Sequence, residues 1–232
     1  MKNKWKNDNE LFSLMKEKLY SAVLGDCMDQ VGYLDQFLPQ SIHALSERMI
    51  LAGRAMPVLE TDINPAEAKQ TDGETGLKKP FGLMFKALDD LKKDEIYICT
   101  GASPRYALWG ELMSTRAIRL GAAGAVLNGF TRDSKGILSL GFPTFSIGKY
   151  AQDQGPRGMV IDFRIEIHIE GIPVRPGDIV FGDMDGVCII PREIEAEVIH
   201  RAFAKVKGEN EVRKAIEDGM SAADAFEIYG IM

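Results

Sequence analysis

The stretch "EIYICTGASPRYALWGELMSTRAIRLGAAGAVLNG", residues 95 to 129, decides the fold. "EIYICTG" (95 to 101) is a short apolar strand ending in glycine, "ALWGELMSTRAIRLG" (107 to 121) reads as helical with a glycine stop, and "AGAVLNG" (123 to 129) is a second buried strand. Strand, helix, strand at this spacing is a βαβ unit, with parallel strands and a right-handed crossover. The C-terminal ends of both strands and the N-terminus of the helix then share one edge of the sheet, where open α/β sheets bind ligands.

Working outward, apolar residues from Leu11 to Met28 recur at helical steps, with a break expected near Gly25 and Asp26 placed to cap the second piece. "MILAGRAMPVLET" (49 to 61) reads as a strand interrupted by Gly53 and Pro57, and "TDGETGLKKP" (71 to 80) as a polar turn-rich connection. Downstream, "FPTFSIG" (142 to 148) is a strand, and "MVIDFRIEIHIEG" (159 to 171) alternates like one half-exposed antiparallel strand. "GIPVRPGDIVFGDMDGVCIIP" (171 to 191) adds short strands separated by Pro-Gly and Asp-Gly turns. From Arg192 the chain is helical, with a stop at Gly219 and a last short helix reaching Tyr229. The expectation is one α/β domain over residues 1–232, mixing βαβ with antiparallel hairpins, with helices in 1–35 and a helical extension over 192–232.

The 232 residues are 45% hydrophobic and 27% charged, a globular balance, and net charge is −6 with scattered basic residues, which leaves no footprint for nucleic acid. Cys27, Cys99 and Cys188 are odd in number and far apart, so neither a disulfide framework nor a cysteine zinc site is expected. No apolar run approaches transmembrane length and no signal-type apolar region follows the amino terminus; the expected location is the cytoplasm, away from membranes.

Chemistry concentrates in "VLNGFTRDSKG" (126 to 136), where the βαβ geometry sets Arg132 and Asp133 past the second strand, beside the start of the helix containing "GELM" (110 to 113). The free N–H groups of that helix attract an anion, and the fork of Arg132 can grip the same carboxylate. Asp133 would face the anion unfavourably unless a cation lies between them. With oxygen ligands and no nearby His or Cys, that cation is expected to be Mg²⁺ or Mn²⁺. Glu111 is the second carboxylate available, directly or through metal-bound water. The set suits a small 2-oxo acid, whose enolate the metal would stabilise during retro-aldol cleavage or decarboxylation.

The run "GELMSTRAIRLGAAGAVLNGFTRD", followed by "PGDIVFGDMDGVCIIP" and "KGENEVRKAIEDGMSAADAFEIYGIM", resembles the family of the regulator of ribonuclease activity A and the 4-hydroxy-4-methyl-2-oxoglutarate aldolases. Members have often been labelled dimethylmenaquinone methyltransferases, but nothing in this sequence looks like a methyl-donor site. The most specific shared element is an acidic residue, twenty intervening positions, then Arg-Asp. The resemblance implies a compact α/β/β sandwich of swivelling-domain type, assembled as a homotrimer or homohexamer with sites between subunits. It implies substrate contacts from Gly110, Glu111, Leu112 and Met113, the substrate carboxylate on Arg132, the metal on Asp133, and a glutamate borrowed from a neighbouring subunit, matched here by Glu209. The family's first acid is usually Asp, so Glu111 reaches further; Asn128 stands where many members have Asp, which bears on the substrate.

The implied activity is that of a class II pyruvate aldolase or oxaloacetate decarboxylase. Two other readings stand beside it: a non-catalytic ribonuclease-regulator-like binding protein, whose shorter members lack the tail from Arg192, and a sugar-acid lyase or dehydratase. Asp178, Asp183 and Asp185 are expected to be turn residues, His43, His168 and His200 surface or structural groups, and Lys205 and Lys207 solvated. "GAAGAV" follows a helix, so it fails as a dinucleotide fingerprint; its glycines stop one element and let the next pack closely.

Overall fold

A computed structural model describes residues 5–64 and 81–230; the 71 to 80 connection lies outside the described residues. One nine-stranded sheet forms the frame, comprising β1 (His43–Ala44), β2 (Leu51–Asp62), β3 (Glu95–Thr100), β4 (Ala107–Trp109), β5 (Gly124–Thr131), β6 (Thr144–Lys149), β7 (Gly158–Phe163), β10 (Ile179–Asp183) and β11 (Gly186–Ile190). β8 (Ile167–Ile169) and β9 (Ile172–Val174) pair separately. Around them lie seven described helices: α1 (Asp8–Lys18), α2 (Ser21–Gln30), α3 (Met84–Asp89), α4 (Glu111–Leu120), α5 (Ser134–Leu140), α6 (Glu195–Glu217) and α7 (Ala222–Tyr229).

The main path runs β1-β6-β5-β3-β2-β10-β11, with β4 on β5 and β7 on β2. β2-β3, β3-β5 and β5-β6 are parallel, so the βαβ unit is present. The sheet curls until its ends nearly meet: Phe37 bridges Cys188 on β11, and the same segment continues into β1 on β6. Strand alternation sorts the core into layers. Ile96, Ile98, Val126, Val180, Val187 and Ile189 point inward with Phe145, while Tyr97, Cys99, Ala125 and Leu127 face the α3 and α4 side. Ile179, Phe181, Cys188 and Ile190 face α1, α2 and α6. Residues 167, 169 and 174 of the β8-β9 hairpin join the inner layer. The expected sandwich is therefore a sheet rolled nearly closed with helices outside it.

Several local expectations change. The first helical break is at Leu19–Tyr20, and Gly25 lies inside α2, where a Cβ would come within 2.6 Å of the Phe37 ring. Asp183 receives the N-terminus of α2, accepting from Ser21 N and Oγ at 2.7 Å each, while Asp26 pairs with Lys205. Lys205 is thus mostly covered instead of solvated. β2 is continuous: Gly53 permits close approach to Asp94 O, and Pro57 falls between the stretches paired with β10 and β7, where its missing N–H breaks no ladder bond. Residues 159 to 171 form two strands, parted where Arg164 turns to φ 59° and binds Glu95 through two 2.8 Å bonds.

The three cysteines are free and buried. Asp178 accepts from the backbone N–H groups of Arg175 and Arg192, the turn role expected of it. No described helix is long and apolar enough to cross a membrane.

Candidate active site

The helix of the βαβ unit starts later than expected. Residues 107–109 form β4 beside the end of β5, and α4 begins at Glu111 after Gly110. Trp109 fixes this junction: its ring packs on Tyr97 at 4.9 Å and Phe142 at 6.0 Å, and its Nε1 donates to Ser114 Oγ at 2.7 Å. Its carbonyl accepts from Arg132 N at 2.9 Å and Thr131 Oγ1 at 3.2 Å, stapling the start of α4 to the end of β5. The extended Gly110 offers no side-chain cap, so the first N–H groups of α4 stay available to an anion.

β5 does not close at Asn128 and Gly129. It continues through Thr131 with a register shift between Leu127 and Phe130, and Asn128 Nδ2 donates to Thr100 Oγ1 at 3.0 Å, tying β5 to β3. Asp133 follows in the left-handed region (φ 55°, ψ 33°), which aspartate tolerates better than most residues. It precedes α5 without capping it through its side chain. Its Oδ2 would lie 2.7 Å from a Cβ at Gly110, so the absence of a side chain there admits the carboxylate.

Arg132 Nη1 binds Asp153 Oδ1 at 2.8 Å, while its Nε stays 3.7 Å from Asp133 Oδ2. Glu111 reaches from α4 across the first turn of α5, where a Cβ at Gly136 would meet its Cγ at 2.7 Å. The structure thus brings Gly110, Arg132 and Asp133 together, and a cleft of about 250 Å³ is lined by these with Leu112 and Met113, while the Glu111 side chain lies beside it, against Gly136. Glu209 is elsewhere, on α6, accepting from the Tyr20 hydroxyl and 4.0 Å from Lys205. Burial and then that carboxylate push the Tyr20 hydroxyl up to about 12.

Asp153 and Gln154 are cleft residues that the sequence reading missed. They lie on the loop after β6, which is parallel to β5, so extending the βαβ argument one strand further delivers this loop to the same edge. Gln154 donates to Glu60, a carboxyl 2% exposed. Burial pushes Glu60 up to about 8, outweighing the lowering by hydrogen bonds with Gln154 and Cys99.

Among the described residues, no group of three or more His, Cys, Asp or Glu side chains is placed to hold a metal. The donor chemistry fits a hard divalent ion in a sparser way. Asp133 presents a half-exposed carboxylate with only a long contact to Arg132, and Mg²⁺ is commonly held by one or two carboxylates with water and substrate oxygens completing the shell.

Residues 21–189 match the family model RraA-like, described as Aldolase/RraA. A Halalkalibacterium halodurans protein named "Putative 4-hydroxy-4-methyl-2-oxoglutarate aldolase" is 33% identical, covering 85% of this chain and 94% of its own length. Protein DlpA of Legionella pneumophila is 28% identical over 90% of this chain, which spans only 32% of that longer protein. The solved structure of Streptomyces coelicolor RraAS2, titled an unusual member of the RNase ES inhibitor RraA protein family, superposes with TM-score 0.74 at 20% identity, covering 90% of this chain and 98% of that one, a likeness of fold.

Proposed function

The chain belongs to the Aldolase/RraA family, and we propose that it is a divalent-metal-dependent lyase that cleaves the C–C bond beside a 2-oxo acid, as an aldolase or an oxaloacetate decarboxylase. The observation that carries this reading is the meeting of Arg132, Asp133 and the uncapped start of α4 at one sheet edge. The N–H groups of Glu111, Leu112 and Met113 and the guanidinium of Arg132 bind and orient the substrate carboxylate. Asp133 would hold Mg²⁺ or Mn²⁺, which when bound supplies Lewis-acid stabilisation of negative charge on the substrate. Asp153 fixes the Arg132 fork through its 2.8 Å bond.

In retro-aldol cleavage the 4-hydroxyl gives up its proton, the C3–C4 bond breaks to leave a carbonyl at C4, its electron pair passes into a pyruvate enolate, and C3 regains a proton. Glu111 is assigned to move those protons through water. Glu209 would join such a site only by assembly with another copy, as a homotrimer or homohexamer.

The test is pyruvate release from a panel of 4-hydroxy-2-oxo acids and oxaloacetate, with EDTA and then with Mg²⁺ or Mn²⁺ restored. Arg132→Ala and Asp133→Ala are expected to lose at least about a hundredfold in kcat/KM, with the thermal midpoint unchanged; full activity in either ends this mechanism. The ribonuclease-regulator reading draws on the family match and the fold likeness, whereas the helical tail from Arg192, which the shorter regulators lack, favours the enzyme. Co-purification with a ribonuclease, together with no turnover of any 2-oxo acid, would establish it instead.

A further inference from the structure

Arg132 is partly exposed, and Asp153, which binds its Nη1 at 2.8 Å, is partly exposed too. An ion pair between two open side chains is weak on its own, so the fork stays aimed only where Asp153 is itself held still. The other Asp153 oxygen accepts from Gly155 N at 3.1 Å, a contact within the same loop. Backbone bonds fasten the flanks of that loop: Tyr150 N donates to Thr131 O at 2.9 Å, Ala107 N to Gln152 O at 2.8 Å, and Gly158 N to Gln154 O at 2.9 Å.

The side-chain anchor is the residue after Asp153. Gln154 alone among residues 150–157 is buried, and it lines the cleft on its apolar side, with Phe81, Met84, Phe85, Leu112 and Met113. Its Nε2 donates to the carboxyl of Glu60 on β2, which is buried as well. Burying an amide and a carboxyl costs free energy that apolar side chains would not, and the bond between them recovers it only in one geometry. β2 holds its half of the pair rigidly. Its register against β7 shifts between Leu59 and Glu60, the kind of bulge that re-aims a side chain. Gly101, past the end of β3, brings its backbone so near that a Cβ there would lie 2.2 Å from Glu60 O. Burial pushes Glu60 up to about 8, so at neutral pH the pair is an acid and an amide and adds no charge to the cleft.

Resting on the lyase reading above, we propose that Glu60 and Gln154 are positioning residues for substrate binding. Their bond pins the loop after β6 to β2, the pinned loop presents Asp153, and Asp153 holds the Arg132 fork toward the substrate carboxylate. Neither residue touches the reacting atoms.

The experiment uses the full chain with Mg²⁺. Calorimetry measures binding of oxalate, a two-carbon dianion shaped like the pyruvate enolate, and steady-state kinetics follows pyruvate release from 2-oxo acids. Gln154→Leu and Glu60→Leu are expected to weaken oxalate binding and raise KM by about tenfold, with kcat changed less than about threefold and the thermal midpoint not lowered. Glu60→Gln, whose amide oxygen still accepts from Gln154, should stay within about twofold of wild type in both. Added to Asp153→Ala, Gln154→Leu should cost less than about a further twofold, because both losses act through one fork. Wild-type oxalate binding in a folded Gln154→Leu protein overturns the inference, and so does a loss that multiplies in full with that of Asp153→Ala. If Glu60→Leu does not fold, Gln154→Leu and its pairing with Asp153→Ala decide alone. No pyruvate from any 2-oxo acid, with the same pattern in oxalate binding, removes the lyase reading and keeps the positioning role. Neither turnover nor oxalate binding by the wild-type protein overturns both.

Discussion

At the residue scale, two glycines make room for two carboxylates. Gly110 leaves space for Asp133, and Gly136 lies under Glu111, where a Cβ would press against the side chain. Helix propensity alone favours alanine over glycine at position 136 of α5 by about 1 kcal/mol. Gly136→Ala is therefore expected to keep its thermal midpoint while displacing Glu111 and lowering kcat by about a hundredfold, since misplacing a catalytic group by about 1 Å costs that much. Steady-state kinetics beside a melting curve checks this; unchanged kcat would remove Glu111 from proton transfer. The spacing of Glu111 from Arg132 and Asp133 is visible in the sequence, and so is the approach of Arg132 and Asp133 to the start of α4 at Gly110. The contact of Asp153 with Arg132 is not, because it joins loops after different strands.

Between elements, Arg54 of β2 clasps both ends of the chain. Its Nε binds Asp8 of α1 at 2.7 Å, it pairs with Glu195 at the start of α6, its Nη1 donates to Gly177 O at 3.1 Å, and its guanidinium lies 5.6 Å from the centre of the Phe12 ring. Arg54 is largely covered and Glu195 partly so, whereas Asp8 is nearly half exposed, so removing the arginine costs mainly through its own lost packing and the uncompensated charge of Glu195. Arg54→Ala is expected to destabilise the protein by about 3 kcal/mol in urea unfolding, with kcat of the folded fraction unchanged; a loss well below 1 kcal/mol would show that water replaces the clasp. Helical periodicity announced α1 and α2. Their boundary was displaced because Asp183, at the far end of β10, receives the start of α2. β4 was absorbed into α4 because "ALW" continues an apolar pattern, and only pairing with β5 makes it a strand.

For the whole molecule, burial of Glu60 ties stability to pH. Its carboxyl is pushed from an ordinary 4.5 up to about 8, so the native state holds a proton that the unfolded chain releases. This contribution is complete below pH 4.5 and is lost as pH rises to about 8, above which it is flat. Glu60→Gln is expected to flatten that decline and melt above wild type at pH 8 to 9. Parallel melting curves from pH 5 to 9 check it, and identical slopes would show that Glu60 is ionised in the fold. The sequence alone determined the βαβ unit, the helical ends, the hairpin turns and the Arg132–Asp133 pair beside α4, because periodicity, turn chemistry and the parallel-strand rule act over short stretches. Tertiary structure alone decided the nearly closed sheet, the break of residues 159 to 171 at Arg164, the capping of α2 by Asp183 and the apolar side of the cleft. Each of these depends on partners distant along the chain, and which distant groups meet is fixed when the whole sheet curls and buries its faces.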